Sequence, residues 1–103
     1  MIRKITEAIL DLQRHGFVSS EILDIVEAFY DISIYLFKQS MNIDVYEFFE
    51  HNDKVCKIIN RLRNYGYFDG EIITLFNTFR DAFKRFKLED VKELIEVVGN
   101  LKE

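Results

Sequence analysis

Few side chains in this sequence belong to the types that carry covalent or metal chemistry. Cys56 is the single cysteine, and His15 and His51 are the two histidines. Only Glu50, His51, Asp53 and Cys56 fall close together along the chain, whereas zinc takes four clustered ligands, or three with an open position. The same four residues fit a helix boundary. Glu50 and His51 close one helix, Asn52 and Asp53 open the next, and Cys56 is a small residue on a partly buried face. No metal and no cofactor is expected there.

Two other pairs have the residue types of a catalytic site. Glu21 and Glu71 are carboxylates at matching places in the chain, but each falls in the first turn of a helix, where the backbone dipole stabilises negative charge by ~0.3–1 kcal/mol. Capping accounts for both. Tyr65 and Tyr67 flank Gly66 and are expected to pack a turn. The sequence shows no glycine-rich phosphate loop after a strand, no nucleophile elbow and no paired metal histidines on one helix. It is therefore read as non-enzymatic, without a small-molecule substrate.

These residues sit on a chain of 103 residues that is 49% hydrophobic and 31% charged, with no proline and a formal charge of −4. Such a composition describes one globular domain, residues 1–103. The chain is too apolar for disorder, and one cysteine cannot build a disulfide framework. No apolar run approaches the ~20 residues of a membrane span. Arg3, Lys4 and Glu7 interrupt the opening turns, so no signal peptide is expected. These features together predict a soluble, reduced, cytoplasmic protein.

An internal repeat organises the chain. Shifting the sequence by 50 positions aligns Lys4–Phe37 with Lys54–Lys87 and makes Gly16/Gly66, Glu21/Glu71 and Asp31/Asp81 identical, together with five further pairs. Helical periodicity forces apolar residues into register but not Gly, Glu or Asp, which points to a duplicated unit. The expected units are residues 1–50 and 51–103, sharing one core because about 50 residues bury too little surface alone. Steps of three and four residues predict the helices. They run through Ile2, Ile5, Ile9 and Leu12; through Ile22, Ile25, Val26, Phe29, Ile32 and Leu36; and through Met41, Val45 and Phe48. The second unit repeats them with Val55, Ile58 and Leu62; with Ile72, Leu75, Phe76, Phe79, Phe83 and Phe86; and with Val91, Leu94, Val98 and Leu101. The expected fold is all-α, about six helices in two related three-helix units.

The turn between the first two helices of each unit is the most specific local signal. Gly16 and Gly66 stand where a helix ends in a left-handed residue, with Leu12 facing Phe17 and Leu62 facing Tyr67 across a Schellman end. Ser19 and Asp69 are the expected N-caps, and Val18 and Phe68 are placed to staple onto Leu23 and Ile73. A helix-turn-helix DNA reader is disfavoured in the first unit, because the helix from Ser19 is apolar on most sides and otherwise carries Asp24, Glu27 and Asp31.

The two units differ most in charge. Residues 1–50 hold four Lys and Arg against nine Asp and Glu, while residues 51–103 hold ten against nine. On the long helices, Tyr30, Ile34 and Phe37 form a second apolar stripe where the other unit has Arg80, Lys84 and Lys87. The apolar stripe is either covered within the chain or a protein interface, with a homodimer as the leading form. The basic stripe, joined by Lys57, Arg61 and Arg63, is either a solvated face or a contact for nucleic acid or an acidic partner. The function expected is a protein-interaction and assembly module acting through the first unit. The alternative is a small nucleic-acid-binding or ribonucleoprotein subunit acting through the second.

Overall fold

The computed structural model describes residues 2–38 and 53–102. Five helices are counted among them: α1 (Ile2–Arg14), α2 (Ser19–Lys38), α3 (Asp53–Asn64), α4 (Asp69–Phe83) and α5 (Leu88–Lys102). No strand occurs among the described residues, so the chain is all-α as its periodicity requires. The sixth helix expected at Met41, Val45 and Phe48 lies outside the described residues. So do Glu50 and His51, and the side chains of Leu36, Phe37 and Leu101. No described helix is long and apolar enough to cross a membrane.

Helices α1 and α3 end in the same way. Gly16 and Gly66 both have φ +104°, a conformation that any Cβ would strain. Behind each glycine two backbone bonds close the helix. Gly16 N–H donates to Gln13 O and Phe17 N–H to Leu12 O, at 3.0 and 3.1 Å; Gly66 and Tyr67 repeat this onto Arg63 and Leu62, both at 3.0 Å. Leu12, Leu62, Phe17 and Tyr67 are all buried, as the apolar contact of a Schellman end demands.

The next helix starts one residue earlier than the expected caps. The Val18 and Phe68 carbonyls accept the first helical bonds, from Ile22 and Ile72, so these two residues hold the N-cap positions. Their own N–H groups donate to the carboxylates of Glu21 and Glu71 at 3.2 and 3.0 Å. The glutamates thus supply half of a capping box, and the expected role of Ser19 and Asp69 as caps is corrected. The staple is corrected too, because Val18 and Phe68 face solvent rather than Leu23 and Ile73.

The two halves pack by reciprocal exchange. α1 lies antiparallel against α4: Asp11 in its last turns meets Tyr67, while Lys4 in its first shares a cleft with Thr78 and Asp81. In the same way α3 lies antiparallel against α2, with Arg61 on Glu21 and Lys54 on Asp31, both at 3.8 Å. Positions 4 and 11 of α1 become 54 and 61 of α3 on adding 50, and Asp31 of α2 becomes Asp81 of α4. α2 and α4 cross at the centre, where Phe29 packs edge-on to Phe76 at 5.4 Å and beside Phe79. α5 then runs antiparallel along α2, with Lys92 paired to Glu27 and Gly99 lying against Ser19.

One continuous core joins all five helices, from Ile5 and Ile9 to Ile95 and Val98. Each set of apolar positions therefore completes the burial of the other. Ile2, expected in the α1 stripe, is exposed at the helix start, whereas Ile95 is fully buried. α4 stops at Phe83, five residues short of the extent of α2. Lys87 N–H turns instead to the Asp90 carboxylate at 3.2 Å, and the carbonyl of Lys87 opens α5.

Replacing Gly16 or Gly66 with alanine places a Cβ at φ +104° and should cost about 1–2 kcal/mol each. For a domain of this length, a thermal scan should show the midpoint fall by roughly 4–8 °C per kcal/mol. An unchanged midpoint would contradict the left-handed assignment.

Candidate interaction surfaces

The left-handed glycines bring the two turns face to face. The His15 ring lies 4.2 Å from that of Tyr67, and the Phe17 ring packs edge-on to Tyr65 at 4.3 Å. Positions 15 and 65 each cover the buried aromatic of the other half. Tyr67 OH donates to Asp11 Oδ2 at 2.6 Å. His15 Nδ1 lies 2.9 Å from the Asp11 carbonyl oxygen, which can only accept, so Nδ1 carries the proton.

An Asp, a His and a Tyr in contact have the types of a catalytic cluster, but their electrostatics run the other way. Burial, the bond to Asp11 and the charges of Asp11 and Glu71 all raise the Tyr67 pKa far above its ordinary value. The phenol is held as a donor, whereas a base or nucleophile needs the phenolate made easier to form. The cluster works as a clasp between the halves.

Beside the clasp, the cleft between α1 and α4 has a volume of about 440 Å³, with Ala8 and Leu75 in its apolar lining and Glu7, Asp11 and Glu71 as acidic groups. The matching cleft between α2 and α3 is crossed by the Arg61–Glu21 and Lys54–Asp31 pairs. Asp11 in place of an arginine accounts for the missing pair with Glu71, whereas Asp81, which matches Asp31, pairs with Lys84 rather than with Lys4. Among the described residues no three His, Cys, Asp or Glu side chains are grouped to hold a metal ion. Cys56 is half-buried on α3.

The expected apolar stripe is partly used within the chain. Tyr30 is half-buried with its ring edge-on to Phe83 at 5.1 Å. Ile34 is half-buried as well, its neighbour Tyr35 is 41% exposed, and the Phe37 side chain lies outside the described residues.

The basic residues are spread over α3, the end of α4 and the start of α5. Arg80 is half-buried on α4, Lys84 caps the end of that helix and pairs with Asp81 at 3.6 Å, and Lys87 sits beyond it at the start of α5. The pairing of Asp81 is thus with Lys84, three residues on. On α3, Arg61 turns to Glu21, and Arg63 holds Asp69 with two bonds of 2.7 and 3.2 Å, while Lys57 is exposed. Arg61, Arg63 and Lys84 are thus each turned to a separate acidic neighbour.

The most exposed large apolar side chains include two that stand at equivalent positions. Phe68 is 77% exposed and Val18 58%, each directly after a buried clasp residue. The sequence placed both at a helix start, where apolar residues have a packing role; their exposure appears only once the turn geometry is known. Comparison with protein-family models, curated proteins and solved structures finds no match to this chain.

Replacing Tyr67 with phenylalanine removes the bond to Asp11 and should lower stability by about 1 kcal/mol near pH 8. The native pKa is raised above the unfolded value of 10.0, so the bond contributes fully below pH 10. Above it, the unfolded chain releases a proton that the native chain keeps, and that contribution declines. Urea midpoints of the two proteins should therefore differ at pH 8 and converge by about pH 11; a constant gap would contradict the buried, bonded phenol.

Proposed function

We propose that this chain is a non-enzymatic protein-interaction module that acts by associating with copies of itself. The observation that carries the proposal is Phe68. Its ring is 77% exposed and makes no cap hydrogen bond. At an N-cap, Ser, Thr, Asn or Asp would stabilise the helix by about 1 kcal/mol more than an apolar residue. Phe68 thus neither caps nor staples, and an aromatic side chain with no folding task is the type that anchors protein contacts.

The architecture that goes with this function is two related three-helix units, six helices in all, descended from one duplicated unit. The matching Schellman ends and the reciprocal packing of α1 on α4 and α3 on α2 support it. A contact through Tyr30, Ile34 and Phe37 is less favoured than one at Phe68, because Phe83 already covers part of the Tyr30 ring. Binding of nucleic acid is less favoured again. Arg61, Arg63 and Lys84 have acidic neighbours of their own, which a phosphate would have to displace.

The test is the absolute mass in solution across protein concentrations. Mass should rise with concentration and persist in about 1 M salt, since apolar contacts are not screened. Ile34→Glu should leave that rise intact. A strict monomer would overturn the proposal, and an association that salt dissolves would replace it with an electrostatic one.

A further inference from the structure

We infer that the cleft between α1 and α4 binds an arginine side chain of a partner protein. This surface is distinct from Phe68, and the inference does not rest on the self-association proposed above. The other half of the molecule shows what such a cleft holds. Between α2 and α3, Glu21 uses its two carboxylate oxygens separately: Oε1 accepts from Val18 N–H at 3.2 Å, and Oε2 faces the Arg61 guanidinium at 3.8 Å. Glu71 occupies the matching place, and its Oε1 makes the matching bond, to Phe68 N–H at 3.0 Å. Position 11, which matches Arg61, is an aspartate. Among the described residues no Lys, Arg or His pairs with Glu71. A guanidinium for its second oxygen has to come from another chain.

Shape and polarity both fit that occupant. Ala8 and Gly70 line the cleft where the other half has the larger Ile58 and Ser20, and the space is about 440 Å³. Ala8 and Leu75 give it an apolar wall along which the hydrocarbon stem of an arginine can lie. Around that wall the polar atoms accept. Tyr67 donates its hydroxyl proton to Asp11, and Thr74 and Thr78 donate theirs to the carbonyls of Gly70 and Thr74. These hydroxyls and the two carboxylates therefore offer the cleft lone pairs, whereas a guanidinium carries only donors. Asp11 and Glu71 also act at one place, since the charge of each raises the pKa of the same Tyr67 phenol.

Lys4 is the one cation in the lining. It stands seven positions before Asp11, about 10 Å along α1, at the end of the cleft where Asp81 also lies. Glu7, between them, is shared with Arg3 at 3.3 Å. A cationic side chain is thus directed to the Asp11 and Glu71 end. Gly70, Glu71 and Thr74 on the rim are exposed, so the backbone of a partner can pass over the cleft while its arginine enters.

The probe that tests this is arginine blocked at both ends, as the Nα-acetyl methylamide, titrated into isotope-labelled protein and followed by amide chemical shifts. Shifts should centre on Ala8, Gly70 and Thr74 and saturate with a Kd on the order of 1–10 mM, as one side chain supplies. The citrulline counterpart keeps the shape without the charge and should bind about tenfold more weakly. The lysine counterpart should also bind more weakly, because an ammonium lacks the planar fork that can face two carboxylates. Glu71→Gln keeps the acceptor for Phe68 N–H and should weaken binding about threefold or more. Asp11→Arg combined with Tyr67→Phe copies the pair found in the other half, sets the chain's own guanidinium on Glu71 and should abolish binding. Circular dichroism should show both variants folded. Citrulline or lysine that binds as tightly as arginine, unchanged binding in both variants, or no saturable shift at about 50 mM probe overturns the site. Free arginine that binds more tightly than the blocked probe overturns the protein partner in favour of the amino acid.

Discussion

The fold depends on two backbone torsions. At Gly16 and Gly66 the chain takes φ +104°, and this lets Phe17 and Tyr67 turn back under Leu12 and Leu62. Space is not what demands glycine there. A Cβ at position 16 would stand 3.8 Å from the Tyr65 ring and one at 66 would stand 3.8 Å from His15, both ordinary contacts. The torsion demands it. Once both turns have that shape, each presents a buried aromatic and a covering ring, and the two close on each other. α1 is thereby laid on α4 and α3 on α2, so neither half can bury its stripes without the other.

Where the halves differ, they differ in partnered positions. Tyr67 carries a hydroxyl that needs an acceptor, and Asp11 provides it. The matching ring is Phe17, without a hydroxyl, and the position matching Asp11 is Arg61, which reaches Glu21 instead. One exchange alone would have left a poor pairing: a tyrosine hydroxyl facing a guanidinium, or a carboxylate beside a ring with nothing to donate. The clasp and the absence of an ion pair to Glu71 both follow from the residues at positions 11 and 67. A carboxylate turned towards Tyr67 does not bridge to Glu71, which leaves one cleft acidic while the other is crossed by ion pairs.

Much of this was legible in the sequence because it is local. The helical stripes follow from the steps between Ile5, Ile9 and Leu12 and their counterparts, and the turn follows from Leu12, Gly16 and Phe17 standing at Schellman spacing. The contact of Tyr67 with Asp11 spans 56 positions, and no local pattern encodes which helix lies on which. The apolar face of α2 was visible, but Phe83, which covers part of it, could be assigned only from the crossing of α2 and α4. The basic residues of the second unit are arranged differently for another reason. Asp90 draws Lys87 into the start of a new helix, so Lys87 does not follow Arg80 and Lys84 along α4 as Phe37 follows Tyr30 and Ile34 in the sequence of α2. The exposure of Phe68 was hidden by a rule that is right on average, since an apolar residue ahead of a helix usually staples onto it.

Position 68 is free for another use because its neighbours already do the work of starting α4. Gly66 sets the direction of entry, the Tyr67 ring anchors the chain in the clasp, and Glu71 reaches back to the Phe68 N–H. The start of the helix is thus set on both sides of residue 68 by groups that do not use its side chain. Val18 stands under the same arrangement with Phe17 and Glu21 and is likewise exposed. A cap residue at either place would strengthen a helix start that is already held, so the fold tolerates the loss of about 1 kcal/mol that an apolar side chain brings there. A ring at such a place stands on backbone held from both sides, next to the clasp, so a contact made through it would spend little on ordering the chain.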